Sequence, residues 1–187
     1  MRIITGDLKG RVIPFDPKSF GDARTTGARV KEALFAMIGA DLRGLRFLDL
    51  FAGSGQIGLE ACSRGASVVF NEPDAHRRAL LENLFSEWGL VDGVELLAMS
   101  ADTAIRSTSD FDIVFLDPPY RAREDDESLA SIALRSVDGN PGVLRPRAVA
   151  IVQHDPNTEL PSELVSLEVE KTKRYGDTAL TVYRKTE

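Results

Sequence analysis

Cysteine, histidine and long apolar runs are scarce in this chain of 187 residues. The single cysteine, Cys62, excludes an internal disulfide framework and suits a reducing cytosol. Together with two distant histidines, His76 and His154, it supplies too few soft ligands for a zinc site. No run approaches the roughly 18–20 apolar residues of a membrane span, and residues 1–7 lack the apolar segment of a signal peptide. These absences favour a cytoplasmic protein with no metal and no membrane partner.

Charge is unevenly distributed along the sequence. The net charge is −6, which argues against a protein that binds nucleic acid over its whole surface. Residues 1–31 nevertheless carry seven basic side chains and three acidic ones. A second basic cluster lies near the end of the chain and comprises Lys171, Lys173, Arg174, Arg184 and Lys185. Local positive patches on an acidic body are typical of an enzyme that contacts a phosphate backbone on one face.

Strand-like and helix-like segments alternate through the middle of the chain, which predicts a doubly wound, mostly parallel α/β sheet. An N-terminal hairpin (2–5 and 11–14) and a polar loop that orders on binding a partner (16–28) precede this region, and an antiparallel pair (163–170 and 178–184) closes it. The strands are predicted at 46–50, 67–72, 94–98, 111–116 and 148–153, and the helices at 29–38, 56–64, 75–88, 101–106 and 128–137.

The stretch Asp117-Pro118-Pro119-Tyr120 follows the apolar run 111–116, so it marks the carboxyl end of a buried strand. Two consecutive prolines cannot continue a sheet ladder because neither has an N–H group. The result is a stiff, extended turn that presents a carboxylate, backbone carbonyls and an aromatic ring at the edge where open α/β sheets bind ligands.

This turn suits a planar exocyclic amine on a nucleobase. The Asp117 carboxylate and the Pro118 carbonyl are two acceptors for the two amine hydrogens, and accepting both makes the nitrogen more nucleophilic. Tyr120 is placed to stack on the base, an interaction worth roughly 1–3 kcal/mol. Methyl transfer to such an amine needs no tuned general base, because positioning and electrostatics supply most of the rate.

The segment Gly53-x-Gly55-x-x-Gly58 follows a predicted strand and opens a helix, as in nucleotide-binding folds. Glu72 lies 19 residues after Gly53, where an acid binds ribose hydroxyls. Asp49, at the end of the first strand, is unfavourable beside a pyrophosphate but suits a ligand with an ammonium and a sulfonium group. The pattern therefore predicts an S-adenosylmethionine site.

Other polar residues leave alternatives open. Ser100, Ala101 and Asp102 follow the third strand and are placed to meet the adenine ring, although Asp102 equally suits a helix N-cap. Cys62 fits a buried core position better than a nucleophile. His154, at the end of the fifth strand, fits a structural role better than a substrate contact.

Three segments together resemble the class I S-adenosylmethionine-dependent amino methyltransferases: 49–55, Glu72 and 117–120. The segments 2–11, 24–32 and 174–180 narrow the resemblance to the RsmD family, the bacterial 16S rRNA (guanine-N2)-methyltransferases. The likeness runs along nearly the whole chain. It departs from the family pattern at Thr25, Gly27 and Ala28, where a proline, a Thr or Ser, and an acid are usual.

The resemblance implies a seven-stranded, Rossmann-like methyltransferase sheet with a C-terminal antiparallel hairpin. It also implies a division into an N-terminal RNA-contacting hairpin and loop (1–28) and a methyltransferase domain (29–187). The substrate is then ribosomal RNA, within a small-subunit assembly particle, and S-adenosylhomocysteine is the coproduct. Catalytic candidates are Asp117, Pro118, Pro119 and Tyr120; cofactor candidates are Arg29, Asp49, Phe51, Ala52, Gly53, Ser54, Gly55, Glu72, Ser100 and Ala101; RNA-binding candidates are Arg2, Lys9, Arg11, Arg24, Arg121 and Arg123.

Three other functions are compatible with parts of this pattern. An amino methyltransferase acting on adenine or cytosine in DNA would share the Asp-Pro-Pro-Tyr turn. An NAD-dependent oxidoreductase would share the glycine segment. A non-catalytic RNA-binding protein that kept the fold is the weakest, because the turn is intact.

Overall fold

The computed structural model describes residues 1–14, 26–119 and 127–186. Within these ranges the chain forms seven strands and five helices that alternate through its central part. The strands are β1 (Arg46–Asp49), β2 (Ser67–Asn71), β3 (Val94–Leu97), β4 (Phe111–Leu116), β5 (Leu144–His154), β6 (Leu167–Tyr175) and β7 (Thr178–Lys185). The helices are α1 (Ala28–Ile38), α2 (Gln56–Ser63), α3 (Ala75–Trp88), α4 (Ala101–Ser107) and α5 (Leu129–Asp138).

All seven strands form one sheet in the order β3-β2-β1-β4-β5-β7-β6. Strands β1 to β5 pair in parallel, whereas β7 is antiparallel to both β5 and β6. This confirms the predicted doubly wound sheet with a closing antiparallel hairpin. The strand order reverses between β1 and β4, and such a reversal opens a crevice at the carboxyl ends of the strands.

The central strands are buried because helices cover both faces of the sheet. Phe47 and Phe115 face one hydrophobic cluster, while Leu48 and Val114 face the other. The near-continuous apolar sequence of β4 follows from this double burial. No helix in the described ranges is long and apolar enough to cross a bilayer.

Capping residues mark the ends of α3 where the sequence predicts them. Asp74 caps α3 by accepting a hydrogen bond from the Arg77 backbone N–H at 3.0 Å, and Gly89 ends the helix in the left-handed conformation. In α2, Gly58 allows close packing on β2, because a Cβ there would lie 2.2 Å from the Phe70 ring.

The N-terminal hairpin is less regular than predicted. A single antiparallel bridge joins Arg2 to Val12, and a turn connects them. Ile3 and Ile13 are buried in the same hydrophobic cluster as α1, α2 and α3. The loop predicted at 16–28 lies mostly outside the described residues, and the domain division at residue 28 stays a prediction.

Two strands of the C-terminal part differ from their predicted bounds. Strand β5 begins at Leu144 rather than at residue 148. Its first residues include Pro146 and Arg147, which has a positive φ, and its pairing with β4 is irregular there. The apolar pattern does not reveal such an irregular start. Strand β6 spans 167–175 rather than 163–170. It is an edge strand with a mostly exposed, charged second half, so it lacks the apolar alternation that marks a strand.

Candidate active site

Three carboxylates lie at the carboxyl edge of the sheet, on either side of the strand reversal. Asp49 ends β1 and pairs in register with Phe70 of β2 and Phe115 of β4. Glu72 and Asp117 each follow those partners by two residues. Because neighbouring strands lie about 4.8 Å apart, the three acids fall within the span of one small ligand.

Asp49 is a buried acid, only 2% exposed. Its Oδ2 accepts a hydrogen bond from the Gly58 backbone N–H at 2.9 Å, so the carboxylate ties the end of β1 to the first turns of α2. Burial raises the pKa of Asp49 to about 7, and the nearby charge of Glu72 adds to this shift.

Glu72 supports the glycine loop. Its Oε2 accepts from the Gly53 backbone N–H at 2.8 Å, and its Oε1 accepts from the Asp74 backbone N–H at 2.9 Å. Burial raises the pKa of Glu72, although these two hydrogen bonds and Arg77, 3.9 Å away, oppose that shift. The side chain therefore links the end of β2 to the turn after β1.

The glycine loop itself needs residues without side chains. Gly53 and Gly55 have φ angles of 54° and 76°, in the left-handed region. A Cβ on Gly55 would lie 2.4 Å from a methyl group of Leu81, whereas a Cβ on Gly53 would meet nothing closer than 3.9 Å. A side chain at Gly55 would therefore displace the buried Leu81, whereas a Cβ at Gly53 would make only an ordinary van der Waals contact. Of the other loop candidates, Ala52 and Ser54 are buried and Phe51 is partly exposed.

Asn71 links two loops at this edge, a role that no sequence pattern predicts. Its Nδ2 donates to the carbonyls of Leu50 and Met99 at 3.2 and 3.1 Å, and its Oδ1 accepts from the Met99 N–H at 3.2 Å. Asn71 is 1% exposed. The side chain therefore joins the loop after β1 to the loop after β3, where Ser100 and Ala101 lie.

The residues after β3 have partly structural roles. Ser100 is the N-cap of α4 and accepts from the Thr103 N–H at 3.2 Å. The suggested N-cap role of Asp102 is therefore wrong; this side chain accepts from Arg106 at 2.8 Å and from Ser136 at 2.7 Å. Ser100 and Ala101 follow Met99, whose backbone Asn71 contacts, and their contact with the adenine ring stays a prediction.

Asp117 follows β4 and is only partly exposed. Its Oδ2 accepts from the Thr26 hydroxyl at 3.1 Å. Burial raises the pKa of Asp117 to about 7; the Thr26 hydrogen bond lowers it and the charge of Asp49 raises it further. Pro118 is buried and Pro119 is exposed, while Tyr120 lies outside the described residues.

Thr26, Gln56 and Gln153 form contacts around Asp117 that no sequence pattern predicts. The Thr26 hydroxyl also lies 3.2 Å from Gln153 Oε1. With the Gln56 amide oriented to satisfy its neighbours, its oxygen accepts from the Thr26 N–H at 2.7 Å and its nitrogen donates to the Thr26 carbonyl at 3.2 Å. All three residues are at least nine-tenths buried. Only the position of Thr26 within the family-like segment 24–32 hinted at a role.

The basic candidates are more dispersed. Arg2, Lys9 and Arg11 are exposed on the N-terminal hairpin, and the Arg11 guanidinium lies 5.4 Å from the centre of the Trp88 ring. Arg29 is exposed on α1. Arg24, Arg121 and Arg123 lie outside the described residues.

The second basic cluster is divided by the hairpin of β6 and β7. Lys173 and Arg174 lie near its turn, at the same sheet edge as Asp117. Arg184 and Lys185 lie at the opposite edge, where they contact the carbonyls of Arg147 and Leu144. The C-terminal basic residues therefore do not form a single patch.

Two further candidates have structural roles. Burial raises the pKa of the Cys62 thiol to about 12, which disfavours a reactive thiolate. His154 is 5% exposed, and its ring nitrogens lie 2.9 Å from the Asp155 carbonyl oxygen and 2.9 Å from the Thr181 hydroxyl. In the described ranges, no group of three or more His, Cys, Asp or Glu side chains is arranged to hold a metal ion.

The acidic edge fits a cationic ligand. Asp49 and Asp117 both have pKa values raised to about 7, each partly by a neighbouring acid. A bound positive charge would relieve this repulsion, and the backbone at Gly53, which donates to Glu72, is not crowded, because a Cβ there would meet nothing closer than 3.9 Å. S-Adenosylmethionine carries an ammonium and a sulfonium group, so these residues fit it.

Comparisons with known proteins agree with a site for S-adenosylmethionine. Residues 1–184 match the family described as Conserved hypothetical protein 95. Ribosomal RNA small subunit methyltransferase D of Escherichia coli K12 is 32% identical over 188 residues, covering 99% of this chain and 90% of that protein. The enzyme of the same name from Haemophilus influenzae is 32% identical over 189 residues, covering 98% and 92%.

Solved structures share the fold of this chain. The Escherichia coli protein yhhF is 28% identical, covers 100% of this chain and 98% of that chain, and superposes with a TM-score of 0.83. The Thermus thermophilus 16S rRNA N2 G1207 methyltransferase RsmC, solved with AdoMet and guanosine, shares the fold at 22% identity. It has a TM-score of 0.70, with 90% of this chain and 45% of that chain covered.

The fold and the acidic edge define a class I S-adenosylmethionine-dependent methyltransferase. The methyltransferase assignment replaces the hypothesis of an NAD-dependent oxidoreductase, which was based on the glycine segment alone. Within that class, the chain belongs to the Conserved hypothetical protein 95 family, the RsmD family of methyltransferases.

Proposed function

We propose that the protein transfers a methyl group from S-adenosylmethionine to the exocyclic N2 amine of a guanine in 16S ribosomal RNA. The single observation that carries the proposal is the placement of the Asp117 carboxylate beside Asp49 at the strand reversal. The names of the full-length relatives support ribosomal RNA as the substrate.

The residues of the turn act on the amine. When bound, S-adenosylmethionine supplies an electrophilic methyl group on a sulfonium. The Asp117 carboxylate and the Pro118 carbonyl accept the two hydrogens of the guanine amine, which directs the nitrogen lone pair away from the ring. Tyr120 stacks on the base, and the guanine must leave any base stack to reach it. The proton is lost after methyl transfer, so no separate base has to act first.

The remaining candidates hold the two substrates. Glu72 binds the ribose hydroxyls, Asp49 favours the cationic part of the ligand, and residues 51–55 form the loop beneath it. Arg29 lies near the methionine end, and Ser100 and Ala101 border the adenine.

The basic residues of segment 1–28, Arg2, Lys9, Arg11 and Arg24, contact RNA phosphates, together with Arg121 and Arg123. The substrate is ribosomal RNA within a small-subunit assembly particle, and the enzyme works in the cytoplasm.

The proposal is tested by mapping methylated guanines in 16S rRNA from cells with and without this protein. One N2-methylguanine should disappear on deletion and return with the wild-type gene, but not with an Asp117→Asn gene. An unchanged rRNA map would contradict the proposal. A labelled methyl group that enters duplex DNA instead would identify the DNA amino methyltransferase.

A further inference from the structure

We propose that Thr26 is a positioning residue for Asp117, and that Gln56 and Gln153 hold Thr26 in place for this role. The inference rests on the proposed function, in which Asp117 accepts a hydrogen from the substrate amine. It assigns a role to three buried polar side chains that the glycine loop and the Asp-Pro-Pro-Tyr turn leave unexplained.

The Thr26 hydroxyl fixes one oxygen of the Asp117 carboxylate. Its Oγ1 lies 3.1 Å from Asp117 Oδ2 and 3.2 Å from Gln153 Oε1. The Gln56 amide oxygen lies 3.3 Å from the same hydroxyl. A hydroxyl carries one proton, so Thr26 shares it among these three acceptors, of which Asp117 Oδ2 is the nearest. Engagement of Oδ2 restrains rotation of the carboxylate and leaves Oδ1 to accept the substrate hydrogen.

Gln56 fixes the backbone of Thr26 from the other side. Its side-chain amide bonds both the N–H group of Thr26, at 2.7 Å, and the carbonyl, at 3.2 Å. Gln56 is the first residue of α2, and Gly55 of the glycine loop is the N-cap of this helix. A continuous chain of hydrogen bonds therefore runs from the end of the cofactor loop through Gln56 and Thr26 to Asp117.

The charge around Asp117 gives the hydroxyl a second effect. In the part of the chain that the structure describes, Asp49 on β1 is the charged group that acts on Asp117, while Thr26 before α1 and Gln153 on β5 are neutral. Asp49 raises the pKa of Asp117, and the Thr26 hydrogen bond lowers it. Loss of the hydroxyl therefore reduces the fraction of ionised Asp117 near neutral pH.

The decisive comparison is Thr26→Val, which removes the hydroxyl but keeps the shape, against Thr26→Ser, which keeps the hydroxyl. Thr108→Val is the matched control, because Thr108 caps α4 away from the site with a hydrogen bond to Ala104. For each variant, the pH dependence of kcat and KM on 16S rRNA and the calorimetric affinity for S-adenosylhomocysteine are measured.

Thr26→Val should lower kcat by up to about a hundredfold at pH 7, with S-adenosylhomocysteine affinity unchanged. The acidic limb of its pH profile should move upward by about one pH unit. Thr26→Ser should restore both values to near wild type, and Thr108→Val should change neither. A Thr26→Val enzyme with the wild-type kcat, or with a lower kcat and an unshifted pH profile, would overturn the proposal.

A carboxyl-carbon NMR titration of Asp117 separates this inference from the proposed function. If the wild-type protein failed to methylate rRNA, the proposed function would fail, but the titration would still test the contact. A higher Asp117 pKa in Thr26→Val than in wild type supports the positioning role. Identical Asp117 titrations in the two proteins contradict it.

Discussion

Asp49 ends β1 and Asp117 follows the neighbouring parallel strand β4, and the negative charge of Asp49 raises the pKa of Asp117. Burial acts in the same direction, so both carboxyls reach pKa values of about 7 in the folded protein. A sheet edge that gathers like charges in this way is unfavourable for an empty protein and favourable for one that binds a cation. A bound cation would therefore reduce the electrostatic repulsion between these carboxylates.

The first prediction concerns stability against pH. The folded pKa of Asp117 is about 7, above its ordinary value of 3.8. The folded protein therefore binds the Asp117 proton more tightly than the unfolded chain does. The stability that this adds is fully present below pH 3.8 and is lost as pH rises through the folded pKa. Asp117→Asn should remove this contribution. In urea unfolding at pH 5 and pH 8, without ligand, the wild type should lose more stability between the two pH values than the variant. Equal losses would contradict the assigned environment of Asp117.

The second prediction concerns Glu72, whose two oxygens accept the N–H groups of Gly53 and Asp74. Glu72→Gln would place an NH2 group against one of these donors and remove the charged acceptor that we propose binds the ribose hydroxyls. Hydrogen bonds to charged groups contribute about 1.5–3 kcal/mol, so calorimetry should show S-adenosylhomocysteine bound roughly 10- to 100-fold more weakly. Glu95→Gln, exposed on the adjacent β3, is the control and should bind normally.

The third prediction concerns the attachment of the N-terminal hairpin. Glu60 is 0% exposed; it accepts from the N–H groups of Ile4 and Thr5 at 2.8 and 3.0 Å and pairs with Lys31 at 3.2 Å. Glu60→Ala would leave the buried Lys31 charge uncompensated, so urea unfolding should show a loss of about 3–5 kcal/mol. Asp41→Asn, which breaks an exposed pair with Arg43, should leave the unfolding midpoint unchanged. Similar results for the two variants would rule out this anchoring role of Glu60.

The fourth prediction compares two glycines of the same hairpin. Gly6 and Gly10 have similar φ angles of 87° and 89°. A Cβ on Gly6 would lie 1.6 Å from the Ser63 carbonyl oxygen, whereas a Cβ on Gly10 would meet nothing within 4 Å. Gly10→Ala should therefore cost only the backbone strain of about 1–2 kcal/mol. Gly6→Ala should destabilise the protein by at least about 1–3 kcal/mol more in thermal or urea unfolding. Equal costs would show that the hairpin does not pack on α2 as described.

Much of the fold followed from the sequence because its signals are local. The apolar run of β4 and the caps of α3 lie next to the elements they define, and both were predicted closely. The positions of Asp49 and Glu72 at the carboxyl edge of the sheet could also be predicted, since both residues lie at a characteristic sequence separation from the glycine segment. Strand β6 was misplaced because its exposed, charged residues do not show which side faces the core.

The polar braces of the site could not be predicted in the same way. Thr26 contacts Asp117 across 91 positions and Gln153 across 127. Asn71 joins loops that lie 21 and 28 positions away. Such contacts have no periodicity, and a buried Gln or Asn looks the same in sequence as an exposed one. Only the folded chain shows which polar residues satisfy one another.

In the proposed reaction, the Asp117 carboxylate makes a guanine amine accept the methyl group. The most direct measurement is single-turnover transfer of a labelled methyl group to 16S rRNA, with nucleoside analysis of the product. It compares wild type, Asp117→Asn and the control Asp112→Asn, which lies at the other end of β4 and contacts Arg46 and Arg145. We expect N2-methylguanine from wild type and Asp112→Asn, and at least roughly a hundredfold slower transfer by Asp117→Asn with normal S-adenosylhomocysteine binding. Transfer by Asp117→Asn at the wild-type rate would contradict this role of Asp117.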